Sequence, residues 1–273
     1  MRPDKTTILI PCCNSNRLSS IFQYGLPVAR VFKASLTLLF MGDEMAYKTF
    51  SNTLETRFIN ITNREEIRCI RFYRSTSLPI IEKNSLDEEV IMLIFPELPS
   101  GTTQFIKEIR FMLRVRKLRL PYIVLSDAEV LGWQPNHIII PVGYDRTDKE
   151  SAIWASYFAR FSNGQITVIY AAEKEPWARH NTHSNVQFIK KLFDDLQLKL
   201  EIVPATCPSG HIQQAAINLA VKKGNALLAI TTTKDYSIEH YFQGPVELHT
   251  IKNRERIPVL CINPRKDLYV LCK

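Results

Sequence analysis

Asn136-His137-Ile138-Ile139-Ile140-Pro141-Val142-Gly143-Tyr144-Asp145 is the stretch whose reading decides the fold. Three β-branched apolar residues run into a proline and then into a loop of Gly, Tyr and Asp. That is the pattern of a fully buried strand ending at a loop, with a helix to follow. The chain uses the same device at its start. Thr7-Ile8-Leu9-Ile10-Pro11-Cys12-Cys13-Asn14 lies about 130 positions earlier, and the two stretches superpose without a gap for about thirty residues. Ile10 falls on Ile140, Pro11 on Pro141, Tyr24 on Trp154, Ala29 on Ala159, Arg30 on Arg160 and Thr37 on Thr167. The chain therefore reads as a tandem of two related units.

Length and composition agree. With 273 residues, the chain is about two domains at the usual ~100–200 residues each, and each half can bury its own core. Hydrophobic residues make up 45 % and charged residues 23 %, ordinary for a soluble globular protein. No apolar run approaches the ~18–20 residues of a membrane helix, and the apolar run after Met1–Lys5 is too short for a signal peptide. The six cysteines show no CxxC spacing and no framework density, so a reducing cytoplasm is the expected setting. The net charge of +8 divides evenly: residues 1–135 carry 18 Lys+Arg against 14 Asp+Glu, and residues 136–273 carry 17 against 13. The densest basic cluster is Lys107, Arg110, Arg114, Arg116, Lys117 and Arg119. Arg110, Arg114 and Lys117 share one helical face, which either meets a polyanion or is simply solvated.

In the first half, strands are expected over Thr6–Pro11, Ser35–Met41, Val90–Phe95 and Pro121–Leu125, with helices over Arg17–Phe32 and Thr102–Arg119. The first helix is expected to be interrupted by Gly25 and Pro27. Between Gly42 and Glu89 the pattern blurs: Asp43–Arg57 could be helix and Ile67–Tyr73 alternates like a strand, and neither is assigned. Asp127–Asn136 is the linker, giving domains over residues 1–127 and 136–273. The second half is cleaner. Thr147-x-x-Glu150 has the form of a capping box, and Asn163-Gly164 stops the helix it opens. Strands follow at Gln165–Ala171, Lys199–Val203, Ala226–Ile230 and Pro258–Ile262. Helices are expected around Val186–Leu196, Ile212–Ala220 and Val246–Lys252. Near-continuous apolar strands alternating with helices mean a parallel sheet covered on both faces, and right-handed crossovers make it doubly wound. Ligands of such folds bind beyond the carboxyl ends of the strands, which points to the loops after Pro11, Pro141 and Ile230.

The strand-Pro-loop-helix opening of Ile138–Phe161, the strand Ile166–Ala171 and the closing Ile257-Pro-Val-Leu-Cys-Ile262 together resemble the universal stress protein family in its tandem form. The resemblance covers the second half and most of the first, and is weak over residues 42–89. It implies an α/β fold of two tandem Rossmann-like, doubly wound parallel-sheet domains, five strands each in the order 3-2-1-4-5. It also implies pairing of the last strands, here Pro121–Leu125 with Pro258–Ile262 within one chain, and a possible homodimer. Many members bind ATP through an Asp just after the first strand and a G-x-x-G, nine residues, G-[ST] loop after the fourth. This chain departs from that pattern. The Asp position holds Gly143 in the second half and Cys13 in the first. With the final glycine on Gly244, Thr231 and Lys234 stand on the two earlier glycines and Pro245 on the Ser/Thr. Phe95–Gly101 has nothing comparable.

Glycine totals nine, about half the usual ~7 %, and no two lie within four positions of each other, so no glycine-rich phosphate loop exists. Pro245 has no N–H to donate. The expectation is a non-enzymatic stress-response or regulatory interaction protein with an unknown protein partner, no membrane, no nucleic acid and no tightly held cofactor. The alternative is an ATP or AMP sensor with a rearranged loop, whose site would be Pro141, Val142, Gly143, Tyr144, Thr231, Lys234 and Gly244. A second alternative is polyanion binding by residues 107–119. No catalytic residues and no metal site are expected. His180-x-x-His183 lacks a third ligand, and no G-x-S-x-G elbow is present. Cys12-Cys13 and Cys207 stand near helix N-termini, where a thiol can be activated, or they simply pack. Thr231-Thr232-Thr233 either meets a small anion or makes a hydrogen-bonded turn.

Overall fold

Six consecutive buried residues, Thr7–Cys12, form β1, and seven more, Ser35–Met41, form β2. Strands without an exposed face are what a parallel sheet covered on both sides requires. The computed structural model describes residues 6–58, 67–74, 78–86, 89–98, 104–118, 120–125, 133–232 and 246–264, and it divides into two units between Trp133 and Gln134.

In unit one, β1, α1 (Leu18–Phe32), β2, α2 (Glu44–Arg57), β3 (Ile67–Tyr73), α3 (Leu78–Ser85), β4 (Val90–Phe95), α4 (Gln104–Val115) and β5 (Tyr122–Val124) follow one another. The strands lie in the order β3-β2-β1-β4-β5, all parallel. Unit two repeats the order as β8-β7-β6-β9-β10. Its elements are β6 (His137–Val142), α5 (Glu150–Ser162), β7 (Gln165–Tyr170), α6 (Pro176–Asp195), β8 (Leu200–Pro204), α7 (Ile212–Lys223), β9 (Ala226–Thr231), α8 (Val246–Ile251) and β10 (Val259–Ile262). The expected order 3-2-1-4-5 is found in each unit.

The repeated proline has a physical place. β1 pairs with β2 as far as Cys12 but with β4 only as far as Leu9, and β6 pairs with β7 as far as Val142 but with β9 only as far as Ile139. Pro11 and Pro141 therefore stand where the ladder on one side has already ended. A residue without an N–H is tolerated in a central strand at such a point. The parting of the strands is the crevice of the fold.

The two undecided segments of the first half are helix and strand, α2 and β3, and α3 between β3 and β4 was not foreseen. Gly25 and Pro27 do not interrupt α1, which runs through both. The Thr147 capping box does not form. Residues 146–149 are a turn, α5 begins at Glu150, and Thr147 instead donates its backbone N–H and its hydroxyl to Asp145 Oδ1, both at 2.8 Å. The Asp offers both donors a charged acceptor in a local turn, which wins over the box. Asn163 ends α5 in the left-handed conformation, with φ 55°. Gly164 follows because a Cβ there would stand 2.6 Å from Ile138 Cδ1 and 2.9 Å from the Pro135 carbonyl oxygen. The outer strand β8 is half-exposed, and Glu201 on it binds Lys223 at 2.7 Å, a charged edge of the kind that discourages pairing with another chain. No helix among the described residues is long and apolar enough to cross a membrane.

Candidate functional site

The loop that leaves β6 is tied down from four directions. The Gly143 N–H donates to Asp148 Oδ2 at 2.7 Å, and the Tyr144 N–H donates to Ser209 Oγ at 3.1 Å. Ser209 in turn donates its backbone N–H to Glu173 Oε1 at 2.8 Å and its hydroxyl to the same oxygen. The buried Asn185 amide of α6 donates to the carbonyls of Gly143, at 3.0 Å, and Asp145, at 2.6 Å. From the other side, Thr231 at the end of β9 donates its hydroxyl to the Thr147 carbonyl at 3.1 Å. The loops after β6, β7 and β8 and the end of β9 thus converge on residues 143–148.

Two consequences follow. First, the strand-end amides that could cradle a phosphate already have acceptors, one a carboxylate and the other a hydroxyl bonded to a carboxylate. Second, Asp145 and Glu173 make the immediate surroundings anionic, with Asp148 at the Gly143 N–H. Burial pushes the Asp148 carboxyl up to about 7, the Gly143 N–H pulls it back in part, and the Asp145 charge pushes it further up. Gly143 is required here by space. A Cβ on it would come 2.8 Å from Ser209 Cβ and 3.1 Å from Asp148 Oδ2. The glycine on the family's Asp position is thus the gap into which Ser209 fits.

Of the nominated residues, Pro141 and Val142 are buried in β6 and Gly143 is buried just beyond it. Tyr144 is 41 % exposed, its ring 5.1 Å from that of Trp177 in an edge arrangement. Thr231 joins the same loop, whereas Lys234 and Gly244 lie outside the described residues, as do Thr233 and Pro245. Thr232 makes a long-range bond rather than a local one, donating its hydroxyl to Asn263 Oδ1 at 2.9 Å just past β10. Asp148, Glu173, Asn185 and Ser209 were not anticipated. Only Asn185 left a signal, since with Thr182 it continues the inward stripe of Val186, Ile189 and Phe193 on α6.

In unit one the corresponding loop is built otherwise. Cys12 Sγ lies buried 3.7 Å from the Leu39 carbonyl oxygen, and Cys13 is exposed. Burial raises both thiols above the ordinary value, with Cys13 adding to the effect on Cys12 and Glu97 to that on Cys13. That is the opposite of the activation considered for a thiol at a helix N-terminus. Across the crevice Arg17 Nε meets Glu97 Oε2 at 3.2 Å, joining the start of α1 to the loop after β4. His180 and His183 are exposed, and no group of metal-ligating side chains gathers among the described residues. Lys107, Arg110 and Arg114 on α4 and Lys117 in the turn after it are exposed.

No family model matches the sequence, and no curated protein matches it either. Solved structures do. A universal stress protein from Archaeoglobus fulgidus DSM 4304 superposes with a TM-score of 0.67 at 11 % identity, over 95 % of this chain and 99 % of that one. A protein of unknown function from Pseudomonas aeruginosa PAO1 gives 0.63 at 15 % identity, over 98 % and 96 %. A protein assigned to the universal stress family from Pseudomonas aeruginosa UCBPP-PA14 gives 0.63 at 16 % identity, also over 98 % and 96 %. At such identities the likeness is one of architecture, and the chain has the fold of the universal stress proteins.

Proposed function

We propose that the chain is a non-enzymatic stress-response or regulatory interaction protein, a divergent tandem universal stress protein that does not hold ATP tightly. The observation that carries this reading is the occupied strand end of unit two. A triphosphate entering there would have to displace Asp148 and Ser209 from the Gly143 and Tyr144 amides and approach the carboxylates of Asp145 and Glu173. Like charges at close range disfavour that exchange. An interaction role is supported by α5, where Ile153, Tyr157 and Phe161 recur at i, i+4 and i+8 with exposures of 40, 38 and 47 %. Scattered surface apolar residues need no explanation, but a contiguous stripe fits a protein partner.

The test is a thermal-shift series on the full chain with ATP, ADP and AMP, each with magnesium, and a magnesium-only control. Ligand that binds the native state must raise its stability, so the reading expects no shift. A rise of several degrees with ATP that Lys234→Ala removes would replace it with the nucleotide-sensor alternative. The exposed basic face of α4 keeps polyanion binding as a second reading, and a salt-independent null in a nucleic-acid shift assay removes it.

A further inference from the structure

Unit one carries an open groove of about 780 Å³ between the start of α1 and α2, inside the ~300–1,000 Å³ range of small-molecule clefts. Its α1 side is Ser15, Asn16 and Ser19, set in place by the Asn14 side chain, which accepts the Asn16 N–H at 2.9 Å. Its α2 side is Thr49, Asn52, Thr53 and Thr56, on a helix capped by Asp43 Oδ1. The three threonines donate their hydroxyl protons to helix carbonyls, at 3.1, 2.7 and 2.7 Å, so their oxygens remain as acceptors. The side-chain amides of Asn16 and Asn52 and the hydroxyls of Ser15 and Ser19 make no hydrogen bond among the described residues. Arg57 and Phe58 close the far end. The Arg57 guanidinium is exposed and has no ion pair among the described residues, and the Phe58 ring is braced against Phe22 at 4.8 Å. No carboxylate lines the groove.

Hydroxyl acceptors, amide donors, one guanidinium and one aromatic face answer a particular chemistry. A sugar brings O–H groups to the threonine oxygens, oxygens to the amides and a C–H face to the ring, while a single anionic group meets the arginine. A polyphosphate would find only one cation in the lining. We propose that this groove binds a monosaccharide-sized polyol carrying one anionic group.

The experiment is a titration of the full-length chain with glucose 6-phosphate, glucuronate, glucose and inorganic phosphate, followed by NMR of the side-chain amides of Asn16 and Asn52. Saturable shifts of those signals by one or both of the charged sugars are expected, with glucose weaker and inorganic phosphate inert. Whether the phosphate or the carboxylate sugar binds tighter identifies the anionic group. Arg57→Gln, on an exposed helix end, should weaken binding of the charged sugar by about tenfold, the usual worth of a charge-assisted contact. Thr53→Val, of the same shape, should weaken the charged and neutral sugars alike. Failure of both charged sugars to shift either amide up to about 10 mM, tenfold beyond a dissociation constant of ~1 mM, overturns the proposal. So does affinity that both variants leave unchanged, or binding of inorganic phosphate equal to that of glucose 6-phosphate.

Discussion

Units one and two share a strand order and a strand-Pro signature, yet they finish the carboxyl end of the first strand in opposite ways. Unit two ends β6 in a loop whose amides and carbonyls are bonded by its own Asp148 and by Ser209, Asn185 and Thr231 from three other parts of the unit. Unit one ends β1 in Cys12-Cys13-Asn14, where Cys12 Sγ meets the Leu39 carbonyl and Asn14 accepts the Asn16 N–H, and the half-exposed ion pair Arg17–Glu97 spans its crevice. A common backbone thus leaves the strand end free to become either a filled polar network or an open polar surface. What decides is whether a residue small enough to admit a neighbouring side chain stands after the proline. Gly143 admits Ser209, whereas Cys13 has its own side chain to place.

If the network holds unit two's loop, its most buried member should matter most. Asn185→Ala takes the side-chain donor from the Gly143 carbonyl, leaves the Asp145 carbonyl only its bond from the Asp148 N–H, and opens a cavity. Urea unfolding monitored by Trp177 should show a loss of about 3 kcal/mol. A loss under about 0.5 kcal/mol would erase the contrast with the solvated α2 surface of unit one.

Asp148 sharpens the comparison through pH. Its folded pKa, about 7, lies above the ordinary aspartate value of 3.8. The folded state therefore binds a proton that the unfolded state releases, and stability falls as pH rises from about 4 to about 7. Asp148→Asn keeps an acceptor for Gly143 and removes the charge. It should flatten that dependence and stabilise unit two at pH 8 by about 2 kcal/mol, less than the full shift implies because the side chain is only partly buried. A variant as pH-dependent as the parent would show that Asp148 titrates normally.

Ser209→Ala takes the acceptor from Tyr144 and a donor from Glu173, and should cost about 1 kcal/mol in the same unfolding assay. The smallest effect belongs to unit one. Arg17→Gln breaks a half-exposed pair and should change stability by under about 1 kcal/mol, falling further with added salt. An effect larger than that of Ser209→Ala would mean that unit one's crevice is held as firmly as unit two's.

The fold was legible because its signals are local. Ile138–Ile140 and Ile8–Ile10 announce buried strands, and the ungapped superposition announces the repeat. Residues 42–89 blurred for an identifiable reason: α2 buries only Phe50 and Leu54, so it has little apolar stripe to read, and β3 is an outer strand with half-buried side chains. At the candidate site the sequence located the loop but not what fills it. Asp148, Glu173, Asn185 and Ser209 come together through the topology, at no spacing that a chemistry demands. The groove of unit one was hidden likewise, since Ser and Thr on a helix surface ordinarily mean solvation.

The central claim is that Gly143 and Tyr144 have already given their N–H groups away. Residue-resolved amide hydrogen exchange of the full chain, with and without magnesium-ATP, tests it most directly. Both amides should exchange slowly, as hydrogen-bonded groups do rather than as loop amides do, and their rates should not change with nucleotide. Fast exchange that becomes protected only when ATP is added would show that the loop waits for a phosphate, and would contradict the account.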